Sequence, residues 1–211
     1  MAVTMIKAVA VTGDVIASSK LNTAERKELQ NRIESFSASF SKQFPDLQLQ
    51  QYRGDSLQAT LTTNRSQALS MALQLQCFLI AANFHIRLGL GAGEISYESK
   101  DVITSDGTAF QQSGPLLDDL KKRNELIAIT AGNEAFAAEW QVHSASLNFL
   151  LQRLSAAQAE ALYLLMQNST QDEIAKTLNI SQPSVHQRLQ AAGAPVYMRI
   201  IQRFESTVTL L

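Results

Sequence analysis

One cysteine, Cys77, is present, so the chain forms no intramolecular disulfide and no cysteine-rich zinc site. The three histidines, His85, His143 and His186, are too scattered for a local metal-binding motif, and no serine sits in a nucleophile-elbow pattern. No apolar run is long enough to span a bilayer. Lys7 and Asp14 interrupt the N-terminal apolar stretch, which makes a poor signal peptide. A cytoplasmic location is therefore expected. Charge of either sign is also scarce: 18 Lys and Arg meet 19 Asp and Glu, for a net charge of −1 over 211 residues. Free-standing nucleic-acid binders are usually more basic. There is no internal repeat and no low-complexity tract. With 45% hydrophobic residues, the length suits one ordinary domain and one small one.

The most informative stretch runs from Thr170 to Ala192. Thr170 is a good helix N-cap and Glu173 can answer the cap's own N–H, so a helix is predicted from Gln171. Ile174 and Leu178 share its inner face, and Ala175 between them lets a second helix cross closely. Asn179, Ile180 and Ser181 supply a turn, an apolar plug and a second cap, with Pro183 in the following first turn. Val185 and Leu189 then point inward, leaving Gln182, Ser184, His186, Gln187 and Arg188 on or near the outer face. Gln and Arg are the side chains that contact adenine and guanine bidentately. Two packed helices whose polar face meets only water fit the same pattern; caps, plug, small residue and outward Gln and Arg together favour double-stranded DNA. The run resembles the helix-turn-helix of sigma-factor region four and LuxR type, over about forty residues. That resemblance implies DNA contact without naming a target, and it leaves open an adaptor that contacts RNA polymerase. Residues 151–211 carry only one more basic than acidic residue, so a monomer should bind DNA weakly and a homodimer is expected.

Upstream, Ile6 to Thr12 is a predicted buried strand ending at Gly13-Asp14. A helix from Asn22 or Thr23 places Leu29, Ile33, Phe36, Phe40 and Phe44 on one face and stops at Pro45. Leu47 to Arg53 and Ser56 to Thr62 alternate around Gly54-Asp55 as a hairpin. A helix at 65–82, a strand from Ile86, a polar loop from Glu98 to Gly107, a helix at 108–122, a strand at 126–130 and a short helix at 133–140 follow. The order is β-α-β-β-α-β with additions, an α+β ferredoxin-like antiparallel sheet with helices on one face, followed by a small all-α helix-turn-helix domain. The expected boundaries are 1–140 for the sheet domain, 141–153 for a helical connector and 154–211 for the helix-turn-helix domain. Gly89, Gly91 and Gly93 lie inside a strand pattern without dinucleotide-fingerprint spacing, and close backbone packing is the expected reason for them. Val196, Ile200 and Phe204 form a last helical stripe, docked on its own domain or forming a dimer seam.

Asp14 at a strand end and Asp55 in a hairpin turn fit two readings: ordinary turn residues, or carboxylates converging at one sheet edge to hold Mg²⁺ against a nucleotide's phosphates. Gly13-Asp14, Tyr52-Arg53-Gly54-Asp55, Arg87 to Glu94, and Asp106-Gly107-Thr108-Ala109-Phe110 occur in an order that resembles class III nucleotidyl cyclase domains, and more closely the SatD-like family, over about residues 5–135. The resemblance implies a palm-like sheet with Asp14 and Asp55 at the two metal-binding positions. It also implies lost catalysis. Gln51 stands where cyclases carry the base-selecting lysine, Gln111 where they carry an asparagine, and Pro115 where they carry the arginine that stabilises transition-state charge. Ser56-Leu57 replaces the Glu-Phe usual after the SatD-like hairpin. The expected function is a DNA-binding transcriptional regulator with a catalytically degenerate cyclase-like domain, without catalytic residues, for dimerisation or for sensing a nucleotide ligand. The alternative is a metal-dependent nucleotide-binding or nucleotidyl-transfer enzyme with a C-terminal interaction module.

Overall fold

The computed structural model describes residues 5–52, 54–96 and 107–211. Arg53, Asp106 and nearly all of the expected loop at 98–107 lie outside the described residues. The chain's first strand, β1 (Met5–Val15), runs through the middle of a five-stranded sheet with β2 (Gln48–Tyr52), β3 (Ser56–Leu61), β4 (Ile86–Ser96) and β5 (Ile127–Ala131). Their order is β2-β3-β1-β4-β5.

The sheet is mixed rather than antiparallel. β1 pairs antiparallel with β3 and β4, and β2 pairs antiparallel with β3, whereas β4 and β5 are parallel. The reason is the connection: α3 (Thr108–Arg123) crosses between β4 and β5, and such a crossover returns the chain in its original direction. Helices also cover both faces, not one. On one face α1 (Thr23–Gln43) and α2 (Ala68–Ile80) share a core with Val9, Val11, Leu57, Leu88 and Leu90. On the other, Ala8, Ala10 and Ile95 meet Ala109 of α3. Gly89, Gly91 and Gly93 are what let α3 sit there. A β-carbon on Gly89 would come within 2.8 Å of the Ser113 carbonyl, and one on Gly93 within 2.7 Å of Thr108 Oγ1.

Local sequence accounts for the helix starts. Asn22 caps α1 and exchanges hydrogen bonds with Glu25, closing a capping box. Asp46, just after α1, accepts from the backbone N–H of Thr62 and of Asn64 at 2.9 Å each, tying the helix exit to the end of β3. Burial works to raise the Asp46 pKa, but hydrogen bonds from Asn64 and Thr62 outweigh it and hold the carboxyl below its ordinary value. A depressed folded pKa contributes stability that is present above the unfolded value and disappears as pH falls through the folded one. Urea titrations at neutral pH and near pH ~3 should therefore show wild type losing more stability on acidification than Asp46→Asn, which has no charge to lose.

α2 determines how the rest of the chain attaches. Every residue from Ala68 to Ile80 except Phe78 is buried, so the helix is enclosed on all sides. The sheet covers one side, and α5 (Ala156–Met166) and α8 (Ala194–Val208) contact the helix as well. Phe78 meets Tyr163 of α5 with ring centroids 5.2 Å apart. α4 (Glu134–Leu151) is a single helix running through the expected boundary at residue 140. Its Trp140 is fully buried, 5.7 Å from Phe136 and edge-on to Phe204 of α8 at 5.1 Å. Arg203 of α8 donates to both carboxylate oxygens of Glu139 at 2.6 and 3.1 Å. The expected small all-α domain is thus not a separate body: its apolar side chains and those of the sheet form one continuous core. Ile200 and Phe204 of the tail stripe dock inward and are buried, whereas Val196 at its start stays exposed.

Candidate functional site

The C-terminal candidate is built on α5, α6 (Gln171–Leu178) and α7 (Gln182–Ala192). Thr170 caps α6: its backbone N–H donates to Glu173 Oε2 at 2.7 Å, and the Glu173 N–H donates to Thr170 Oγ1 at 3.3 Å. The Thr170 backbone and hydroxyl donors lower the Glu173 pKa. Asn179 ends the helix in the left-handed region at φ 51°, a conformation asparagine tolerates better than most residues. The Ile180 N–H donates to the Ala175 carbonyl at 3.0 Å, and the Ile180 side chain packs on the core. Ser181 caps α7 through the Ser184 N–H at 3.3 Å, and Pro183 occupies the first turn, where no N–H is needed. Ile174, Ala175, Val185 and Leu189 are buried between the helices.

Of the five residues expected on the outer face of α7, Gln182, His186 and Gln187 are exposed. The Gln182 amide donates to Gln171 Oε1 at 2.8 Å. Ser184 is half-buried, its hydroxyl 2.8 Å from that of Ser181, and serves the turn. Arg188 does not point outward. It folds back on α5, with Nη1 3.4 Å from the Ala157 carbonyl and 3.6 Å from Glu160 Oε2. Periodicity put Arg188 near the outer face; its acidic partner, on another helix, gave no local signal.

The acidic corner sits at one end of the sheet. Register places Asp14 opposite Ser56 on one side and Arg87 on the other, so Asp14 lies beside the residue that follows Asp55. The Val15 N–H donates to the Asp55 carbonyl at 2.8 Å, pinning the hairpin turn against β1. Both carboxylates have partners. Asp14 Oδ2 lies 3.2 Å from Lys121 Nζ and 3.6 Å from Arg87 Nη1, while Ser18 donates to Asp55 Oδ2 at 2.7 Å. Asp14 Oδ1 is buried without a partner. Lys121, three turns along α3, is a neighbour that no motif announced.

A divalent cation fits this corner poorly. It would sit within a few ångströms of two cationic groups, each costing about 4 kcal/mol at 4 Å in a surface-like dielectric for every unit of charge. Mg²⁺ is ordinarily held by one or two carboxylates with waters and substrate phosphates, and the Asp14 carboxylate that would serve here is already paired with both cations. A guanidinium and an ammonium already pair with Asp14, and serine hydroxyls donate to Asp55. Arg87→Ala would leave Asp14, 15% exposed, with less compensation. A loss of about 2 kcal/mol is expected by urea denaturation, unrelieved by added Mg²⁺. Gln51, at the lysine position, donates to the Gly54 carbonyl of its own hairpin at 2.8 Å. Gln111 and Pro115 are exposed on α3.

Several solved adenylyl and guanylyl cyclase structures show a remote likeness of fold to this chain. A bacterial light-regulated adenylyl cyclase matches at TM-score 0.47 and 17% identity, covering 60% of this chain and 77% of that one. The adenylyl cyclase CyaB from P. aeruginosa matches at 0.44 and 15%, covering 62% and 79%. The monomeric guanylyl cyclase domain of the RhoGC fusion protein from the aquatic fungus Blastocladiella emersonii matches at 0.43 and 13%, covering 68% and 88%. These are remote likenesses of fold, and no activity is carried over from them. A comparison with curated proteins finds no match. No helix among the described residues is long and apolar enough to cross a membrane. The SatD family pattern matches residues 8–208, almost the whole chain, sheet and C-terminal helices alike, and the protein belongs to the SatD family.

Proposed function

We propose that this protein is a DNA-binding regulator that reads the major groove with α7, on a cyclase-like sheet that does no catalysis. The observation that carries the reading is the exposed, amide-rich start of α7, with Gln182, His186 and Gln187 free of the core while a capped three-residue turn and four buried side chains fix the helix to α6. That leaves the helix N-terminus where base edges are met. Gln182 and Gln187 are assigned to adenine edges and His186 to a neighbouring acceptor. Ser184 holds the turn. Arg188 positions α7 on α5 and reaches DNA only by leaving Glu160. Residues 154–211 serve as the DNA-reading part, 1–140 as the scaffold and 141–153 as the connection.

Few cations lie near this face, so the phosphate contribution is small and two copies per site are needed. The Asp14 and Asp55 corner is kept as a structural feature, Asp14 paired with Arg87 and Lys121 and Asp55 held by Ser18. Gln51, Gln111 and Pro115 at the catalytic positions support a sheet without turnover. The alternative of a metal-dependent nucleotide-binding enzyme would require Mg²⁺ and a nucleotide to displace Lys121 and Arg87 from Asp14.

The test is a pair of substitutions. Gln182→Ala with Gln187→Ala removes two exposed side chains and should leave the thermal midpoint unchanged while weakening binding to the preferred duplex at least tenfold, since a good bidentate contact is worth about 1–3 kcal/mol. Equal affinity for wild type and the double variant would remove α7 from the binding site.

A further inference from the structure

We propose that the outer face of α4 is the seam through which two copies of this chain pair, as antiparallel helices related by a two-fold axis. α4 carries two apolar stripes. The inner one, Phe136, Trp140, Leu147 and Leu151, is buried in the core. The outer one, Ala135, Ala138, Val142, Ala145 and Phe149, is exposed and plays no part in that core. Its steps are three, four, three and four residues, the spacing that keeps a stripe facing a second helix. Val142 is 66% exposed and Phe149 58%, an unusual pair to leave in water on one helix.

The order of sizes and charges along the stripe identifies the occupant as another copy. Place a second α4 antiparallel, with the axis between His143 and Ser144. Val142 then faces the partner's Ala145, and Phe149 faces the partner's Ala138, so each large side chain meets a small one. At the ends Glu134 faces the partner's Arg153, and the axis repeats every contact, as a two-fold interface requires. A parallel pairing would instead oppose Phe149 to the partner's Phe149 and Glu134 to the partner's Glu134. A groove of about 530 Å³ between α3, β5 and α4, lined in part by Glu134, Ala138 and Ala145, lies beside the place Phe149 would enter. In the single chain the Arg153 guanidinium stacks 3.7 Å from the Phe149 ring centroid, which already holds the cation at the end of the stripe.

Sedimentation equilibrium of the full chain without DNA tests this. At tens of micromolar, wild type should have twice the mass of one chain. Val142→Glu and Phe149→Glu should each give monomers with unchanged circular dichroism, because both side chains are exposed. Glu134→Arg should weaken association several-fold, and adding Arg153→Glu should restore it. A wild-type monomer would overturn the proposal, as would a dimer untouched by both glutamates or a charge swap that fails to rescue. The pairing does not depend on DNA binding: a dimer that ignores DNA would leave this seam standing and remove the regulatory reading alone.

Discussion

A Gly91→Val variant is expected to yield little or no folded protein. A β-carbon at position 91 would lie 2.6 Å from the Ser113 backbone nitrogen and 2.8 Å from Gln112 Cβ, closer than real β-carbons come. The obstacle is the backbone of α3 rather than a side-chain tip, so relief requires lifting the helix off β1 and β4. Ordinary overpacking costs about 1–3 kcal/mol, and this geometry belongs at or above that range, against a total stability of about 5–15 kcal/mol. Gly114→Ala is the control. It sits inside the same helix with nothing from the rest of the fold within 4 Å of its β-carbon position; the helix propensity gained is offset by the crowding of that β-carbon against the ring of Pro115, so the change should stay within about 1 kcal/mol of wild type. Urea midpoints of the two variants check the account, and equal midpoints would show that α3 does not rest on the glycine row.

The second large effect concerns the C-terminal helices. Ending the chain after Arg153 should give an aggregating fragment that binds hydrophobic dyes and lacks near-ultraviolet circular dichroism. The cut removes Leu162, Tyr197, Phe204 and Val208, all fully buried, and uncovers one side of α2 together with Trp140. Each large apolar side chain left exposed costs about 1.5–3 kcal/mol, so four lost covers consume most of a typical domain's margin. In the intact chain the same continuity predicts one unfolding transition for both halves. A soluble 1–153 fragment with its own sharp transition would show instead that the sheet folds alone.

What the sequence made legible was mostly local. The caps at Asn22, Ser155 and Thr170 each announce themselves by a Glu or Gln three residues on, and the structure closes all three boxes. Alternation found the strands, and the glycines at 89, 91 and 93 were readable as close-packing positions. Contacts between distant elements were less legible. Nothing near Ile127 says that β5 runs parallel to β4, because direction is set by the length of the intervening crossover. α2 is buried almost all round, with Ser70, Gln74 and Gln76 inside as well as its apolar residues, and its second cover comes from residues some ninety to one hundred and thirty positions later. Asp14 and Arg87 were visible as motif residues, whereas Lys121 joins them only through the seating of α3. Arg188 is the instructive case: helical spacing gives its angle on α7, but the choice between solvent and Glu160 is made by where α5 lies.

The central claim is that α7 reads DNA, and the most direct measurement is fluorescence anisotropy of the full chain against a labelled duplex from upstream of its own gene, at fixed salt, with excess random competitor. The account predicts saturable binding that survives the competitor, falls in the Gln182→Ala, Gln187→Ala variant and is indifferent to Mg²⁺. Binding that the competitor abolishes, with the variant equal to wild type, would contradict it.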